Sequence, residues 1–307
     1  MTKREIVLAY PVRTAIGAFG GALKDTPAVD LGAIVVRETL ERSGLEARNI
    51  GSVVMGNVIQ AGNGMNPARQ AAIGGGLPVS VPAFTVNRVC GSGAQAIVTA
   101  AQEIELGLHD AAIAGGMENM DRAPHLLGGA RQGYRMGDAT GVDSMLRDGL
   151  NDAFSGQHSG WHTEDLVVHA RLNREEQDRW AERSQRLFCV ARNAGKFRFE
   201  IVPVTIQGLK EFENFMVDEA PRQGTTLEAL ARLRPAFRDG GTITAGNAPG
   251  LNSAASAMVV AERSFAEASG VDPIGRIVAY GVGAVEPGLF GLGPVPAVRQ
   301  ALDRAGW

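Results

Sequence analysis

Apolar positions in the first third of the chain follow two alternating rhythms. Glu5–Tyr10, Ser52–Val58 and Phe84–Val86 are short runs rich in β-branched and other apolar residues, and Ala111–Ala114 is a fourth, wholly apolar run. Runs of this length and type predict strands. Between them, Val29–Arg42, a segment around Pro67–Ile73, and Gly93–Glu105 repeat their apolar residues at helical spacing. Strands alternating with helices predict an α/β domain with a largely parallel sheet and helices on its faces.

The rhythm breaks near Asp121, where strand runs disappear and glycine, arginine and histidine rise. Arg174–Ala194 predicts a long charged helix, Ile201–Val204 an extended piece and Thr226–Leu233 a short helix. Residues 122–244 are expected to form an inserted, helix-and-loop domain, because so long an excursion usually carries function. The alternation then resumes, with Asn252–Ala268 predicting an apolar helix and Arg276–Tyr280 a strand.

Two segments repeat in order. Ile6–Tyr10 (IVLAY) is echoed by Ile277–Tyr280 (IVAY), and Val36–Gly44 (VRETLERSG) by Val298–Gly306 (VRQALDRAG). Both helical echoes end on glycine, the usual stop residue. The repeat predicts a chain that starts a second half resembling its first and leaves it incomplete. The expected division is an N-terminal domain of 1–121 and 245–270, the insertion 122–244, and the start of a second domain at 271–307.

Composition narrows the function classes. A net charge of −3 with both signs interspersed argues against a nucleic-acid or membrane-surface partner. The longest apolar runs, such as Ser256–Ala261, are far too short to span a bilayer, and the N-terminal apolar stretch is too short for a signal-peptide core. Two cysteines make no disulfide framework and fit a reducing, cytoplasmic compartment in which a thiol stays free.

The sharpest local pattern is Phe84–Ala96, FTVNRVCGSGAQA. A strand runs into a Gly-Ser-Gly turn that opens an alanine-rich helix, which places Cys90 at a helix N-terminus. There the unpaired N–H groups and the helix dipole favour a thiolate, and the same groups can hold a developing oxyanion. The pattern suits a cysteine that forms an acyl-enzyme. A structural cysteine at a strand–helix junction fits the local pattern equally well.

The segment VNRVCGSGAQA resembles the nucleophile motif of the thiolases, which make or cleave 3-ketoacyl-CoA. Further segments resemble the family in order. They are Gly56–Val58 with Gly64–Gln70, Ala114–Met120, Asp148–Phe154, Leu233–Phe237, Gly241–Ala248 and Gly293–Ala297. The resemblance therefore covers the whole chain. It implies a thiolase-like fold, a mixed sheet with helices on both faces, with an inserted helix-rich loop domain and an incomplete second half. It also accounts for the repeat, since thiolases are built from two similar halves.

The implied mechanism is acyl transfer from acyl-CoA to Cys90, followed by attack of a deprotonated acetyl-CoA, or the reverse thiolysis. Short-chain 3-ketoacyl-CoA, acetoacetyl-CoA first, is the implied substrate, with acetyl-CoA or acyl-CoA and CoA as the small-molecule partners and no metal or redox cofactor needed. By motif position Leu150, His158, Arg222, Ala229, Leu230, Phe237 and Ala245 line the CoA channel, and Phe290 stands at a position beside it where methionine is usual. The resemblance also implies a homo-oligomer, a dimer or tetramer.

The sequence departs from the family pattern in named ways. The later Asn-Glu-Ala-Phe, Gly-His-Pro and second-cysteine segments are absent from these residues. None of His109, His125, His158, His162 and His169 lies in a Gly-His-Pro context. Cys189 is expected to pack in a helix face. Ser159 stands where methionine is usual, Pro249 where a ligand-bonding serine is usual, and Ser253-Ala254 where Asp-Gly is typical. His158 and His162, four apart, lack the carboxylate pattern of a metal site. The alternative function is a C-terminally truncated thiolase-like protein that binds CoA or self-associates without turnover. A β-ketoacyl synthase, which shares the fold, fits the Cys-Gly-Ser-Gly context less well.

Overall fold

The computed structural model describes residues 4–208 and 211–307. In chain order the strands are β1 (Ile6–Thr14), β2 (Gly17–Ala18), β3 (Ser52–Gly56), β4 (Ala83–Val86), β5 (Ala111–Asn119), β6 (His125–Leu127), β7 (Gly141–Asp143), β8 (Ile201–Val202), β9 (Val204–Gln207), β10 (Phe212–Phe215), β11 (Asn252–Glu262) and β12 (Gly275–Arg276). The helices are α1 (Ala28–Ser43), α2 (Pro67–Gly74), α3 (Ser92–Glu105), α4 (Ser159–Ala170), α5 (Arg174–Asn193), α6 (Leu227–Ala231), α7 (Arg263–Ala268) and α8 (Pro294–Ala305). Two compact units result. The first holds the described residues of Met1–His125, Arg198–Glu219 and Asn252–Ile277, and the second holds Leu126–Phe197, Ala220–Leu251 and Val278–Trp307.

The first unit is one sheet in the order β12-β1-β11-β5-β3-β4, with β2 beside β11 and β8 beside β1. Its side chains alternate between two faces, with one register break in β1 between Ala9 and Val12. Val53 and Met55 of β3 join Leu31, Val35, Val36 and Ala71 of α1 and α2 on one side. Val54, between them, joins Ala96, Ala100, Ala101 and Ile104 of α3 on the other. A period of two along each strand thus feeds two cores at once, as a strand covered by helices on both faces requires.

The sheet is mixed, as the family resemblance implies, and not largely parallel as the strand–helix alternation alone predicts. β3 runs parallel to β4 and β5. β11 enters between β1 and β5 and runs antiparallel to both, pairing Ile6 with Glu262 and Ser253 with Asn119. The expected helix Asn252–Ala268 is therefore corrected: Asn252–Glu262 is this central strand and only Arg263–Ala268 is helical. Alanine's helix preference amounts to only tenths of a kcal/mol per residue, and a paired strand on each side overrides it. Burial at Ser253, Ala255, Ala257 and Val259, with each intervening residue more open, carries the period of a strand.

Two smaller expectations are also corrected. Strands do not vanish after Asp121: β6 pairs with β7 and β9 with β10, while the extended piece expected at Ile201–Val204 is β8, running along β1, and the start of β9. Of the expected strand Arg276–Tyr280 only Arg276 is paired; Ile277 still donates its N–H to the Ile6 carbonyl (2.9 Å) before the chain leaves the sheet. The described residues of Arg198–Glu219 fall in the first unit, whereas the expected insertion 122–244 contains them. Arg13 fastens them, reaching Glu200 at 2.7 Å and Asp218 at 2.7 and 3.0 Å.

The second unit is built around α4 and α5. A capping box at Asn173 and Glu176 starts α5. Glu164 of α4, 4% exposed, accepts from the N–H and hydroxyl of Thr242 and from the N–H of Ile243 at 2.8–3.0 Å. Asp178 of α5 takes Arg174 at 2.8 Å and Asn247 at 3.0 Å. These two carboxylates pin the loop 241–248 to the helices. The helical echo is also visible: α1 ends on Gly44 and α8 on Gly306, both left-handed.

Candidate active site

Cys90 lies in the turn between β4 and α3, and it is exposed and free. The residue before it, Val89, has φ of +46°. A β-branched residue avoids that region, so the surrounding contacts must hold it there. Its N–H donates to the Asn87 side-chain oxygen at 2.9 Å. Ser92, nearly fully buried, accepts the Arg88 N–H at 2.8 Å and donates its hydroxyl to the Val89 carbonyl at 2.6 Å. The Ser92 N–H donates to the same carbonyl at 3.0 Å. The result is a sharp elbow that presents the thiol at the positive end of α3.

Gly56 at the end of β3 lets the head of α3 come this close. A Cβ there would stand 2.7 Å from the Ser92 backbone and side chain. Behind it, Glu118 on β5 accepts the Val58 N–H and the Asn57 amide, each at 2.8 Å. Burial pushes the Glu118 carboxyl above the usual carboxylate range, against these bonds. Asn87 in turn donates to the Val58 carbonyl at 3.3 Å. A continuous line of contacts thus runs from Glu118 through Val58 and Asn87 to the elbow.

The other residues expected at the site all lie in the second unit. His158 is the N-cap of α4, its Nδ1 accepting the Gly160 N–H at 2.9 Å. Its ring stacks on Phe237 with centroids 4.7 Å apart and planes at 16°. Burial holds the imidazole below its ordinary value, consistent with a neutral ring whose Nδ1 is an acceptor. Gly160 is what admits Phe237, since a Cβ there would meet its ring at 2.5 Å. Leu230 is buried and lies against Gly246, while Ala229 and Ala245 are exposed. Leu150 closes a π-helical turn, Met145–Leu150, half-buried.

Arg222 is exposed and its N–H donates to Gln185 at 2.8 Å. It lines a cavity of about 300 Å³ with Gln185, Arg186 and Cys189. Cys189 sits half-buried on α5. Phe290 is half-exposed in a short 3₁₀ segment, Pro287–Leu292. The structure therefore joins His158 to Phe237 directly.

Sequence reading alone missed Ser92 and Gly56 as supports of the elbow, and Glu164 and Asp178 as anchors of the loop. It also missed a cluster of Asp152, Ser155, His162 and Asp165, although the i, i+3 spacing of His162 and Asp165 on one helix was a usable signal. Among the described residues no group of three or more His, Cys, Asp or Glu could hold a metal ion, and no helix is long and apolar enough to cross a membrane.

The chain has a mixed α/β sheet with helices on both faces and an exposed cysteine in the elbow at a helix head. Residues 6–264 match the thiolase N-terminal domain family. The chain is 48% identical over 305 residues to an acetyl-CoA acetyltransferase of Pseudomonas aeruginosa, which spans 99% of this chain and 78% of the relative. An acetyl-CoA acetyltransferase of Escherichia coli is also 48% identical, over 99% of this chain and 77% of its own length. The crystal structure of the Bacillus anthracis acetyl-CoA acetyltransferase superimposes with a TM-score of 0.96 at 39% identity, over 99% of this chain and 77% of that one. The chain belongs to the thiolase family.

Proposed function

We propose that this protein is a short-chain thiolase in which Cys90 takes the acyl group of an acyl-CoA, acetyl-CoA first. The observation that carries this reading is the exposed Cys90 thiol on a strained elbow at the head of α3. The sulfur attacks the thioester carbonyl, the bond between that carbon and the CoA sulfur breaks, and CoA leaves as the thiol. The positive end of α3 favours the oxyanion that forms on the way. A second acetyl-CoA, deprotonated at its α-carbon, then attacks the acyl-Cys90 carbonyl and releases acetoacetyl-CoA and the free thiol. Thiolysis is the same path reversed.

CoA is the partner this reading needs, and Leu150, His158, Arg222, Ala229, Leu230, Phe237, Ala245 and Phe290 are its proposed contacts. The neutral, stacked His158–Phe237 pair supports an apolar wall for the pantetheine arm, and Arg222 with Arg186 supplies charge suited to phosphate. CoA binding without turnover is the less supported reading, because it leaves an exposed, strained nucleophile without a purpose. Self-association is supported by β4, which stands as the outer strand of the sheet. Light scattering tests that point.

The experiment for the reaction is thiolysis of acetoacetyl-CoA compared with a longer 3-ketoacyl-CoA. Faster turnover of acetoacetyl-CoA, lost in Cys90→Ala, is expected. Faster turnover of the longer substrate would contradict the short-chain assignment.

A further inference from the structure

A second set of acyl-transfer groups lies wholly within the second unit. Ser155 Oγ is 2.7 Å from His162 Nε2. On the far side of the ring, His162 Nδ1 faces the Asp165 carboxylate at 3.6 Å, one helical turn along α4. That nitrogen is buried and has no hydrogen-bond partner, in a residue only 9% exposed. Ser155 itself is exposed. The three line a cavity of about 420 Å³ whose other walls include Phe154, Pro287 and Leu289. Gly288 presses its backbone to the imidazole: a Cβ there would stand 3.0 Å from Nδ1.

We propose that Ser155, His162 and Asp165 form a second acyl-transfer centre, independent of Cys90, that hydrolyses small activated esters and thioesters. Nucleophile, base and carboxylate are recognised by mutual geometry and role, and here they stand in that order across one imidazole. The cavity is of the size that encloses a small ligand, with apolar walls for an acyl group. The Gln157 N–H donates to Ser155 Oγ at 3.2 Å. That bond leaves the hydroxyl proton to be shared between His162 Nε2 and the Asp152 carboxylate, and it favours negative charge on the oxygen. Asp152, 3.8 Å from Nε2, adds a carboxylate beside the ring when it becomes imidazolium. Arg238 holds Asp165 at 2.9 Å and keeps it ionised.

The balance of the step is complete within these groups and water. Ser155 Oγ bonds to the acyl carbon while its proton passes to His162 Nε2, and the bond to the leaving oxygen or sulfur breaks as that atom takes the proton. Water, deprotonated by the same nitrogen, then displaces Ser155 and releases the carboxylic acid. Asp165 is a positioning residue whose carboxylate, 3.6 Å from Nδ1, favours the Nδ1–H tautomer by its charge. The Gly156 N–H donates to the Asp152 carbonyl and the Gln157 N–H to Ser155, so neither is free to form an oxyanion hole. The chemistry within reach is therefore transfer of an already activated acyl group and excludes amide cleavage.

The test uses Cys90→Ala protein, treated with a fluorophosphonate and assayed with p-nitrophenyl acetate. Peptide mass spectrometry is expected to place the phosphonate on Ser155. Ser155→Ala should abolish both labelling and hydrolysis, and His162→Gln should slow labelling about a hundredfold or more. Asp165→Asn should lower kcat with KM unchanged, in a protein whose thermal melting stays cooperative. Labelling at another residue, or an unchanged labelling rate in folded His162→Gln, overturns the proposal. Because Cys90 is absent throughout, failure here leaves the thiolase reading standing, and failure of thiolysis leaves this one standing.

Discussion

The side-chain oxygen of Asn87 accepts the backbone N–H of Val89 at 2.9 Å, so one loop residue holds the strained position immediately before the nucleophile. Asn87 is exposed, and an exposed hydrogen bond contributes only about 0.5–1 kcal/mol. Asn87→Ala is expected to leave the melting temperature almost unchanged while slowing acylation of Cys90 about tenfold, roughly 1.4 kcal/mol in the barrier. Pre-steady-state acylation and a thermal melt on the same sample check this. An unchanged rate would show that the elbow holds itself.

Ser92 is the buried counterpart. Its hydroxyl satisfies the Arg88 N–H and reaches the Val89 carbonyl, and the residue is only 4% exposed. Ser92→Ala leaves the Arg88 donor unpaired and is expected to cost about 1–3 kcal/mol of stability, measured by urea unfolding. Acylation should slow in the same variant.

Gly56→Ala places a Cβ 2.7 Å from the Ser92 backbone, a contact that rotamer change cannot relieve. Overpacking of this kind costs about 1–3 kcal/mol. The strand end and the helix head must separate, so reduced thiol reactivity should accompany the lower urea midpoint. A disulfide reagent titrated against Cys90 reads the first effect.

His158 predicts a pH dependence. Burial holds its imidazole below the ordinary value of about 6.5. Between the folded and unfolded values the unfolded chain binds more protons, so stability rises with pH through that window and levels off above about 6.5. His109 is depressed by burial in the same sense, whereas the raised Glu118 carboxyl acts in the opposite sense. The His158 contribution is isolated by difference. Wild type should lose more stability than His158→Asn between pH 7 and pH 5 in urea titrations, and parallel losses would contradict the assignment.

Much of the first unit is legible in the sequence, because β1, β3 and α1 have local preferences that agree with their places in the sheet. Local preference fails at β11. Its alanines read as helix, and only partners far away in sequence, β1 and β5, make it a strand. The short strands β6 to β10 are too brief to show a period. At the site, Cys90 stands out because a strand, a glycine turn and a helix meet there within a few residues. Ser92, Gly56, Glu164 and Asp178 do not, because their importance lies in contacts with distant segments. The Ser155–His162 pair escaped notice for a different reason: a serine and a histidine seven residues apart acquire meaning only when a loop turns one onto the other.

The most direct test of the central claim is to incubate the protein with acetyl-CoA, quench in acid and map the acetyl group by peptide mass spectrometry. One acetyl group on the Cys90 peptide, absent in Cys90→Ala and discharged by added CoA, is the predicted result. A Cys90 peptide that stays unmodified while the protein converts acetyl-CoA to acetoacetyl-CoA would contradict the assignment of Cys90 as the acylated nucleophile.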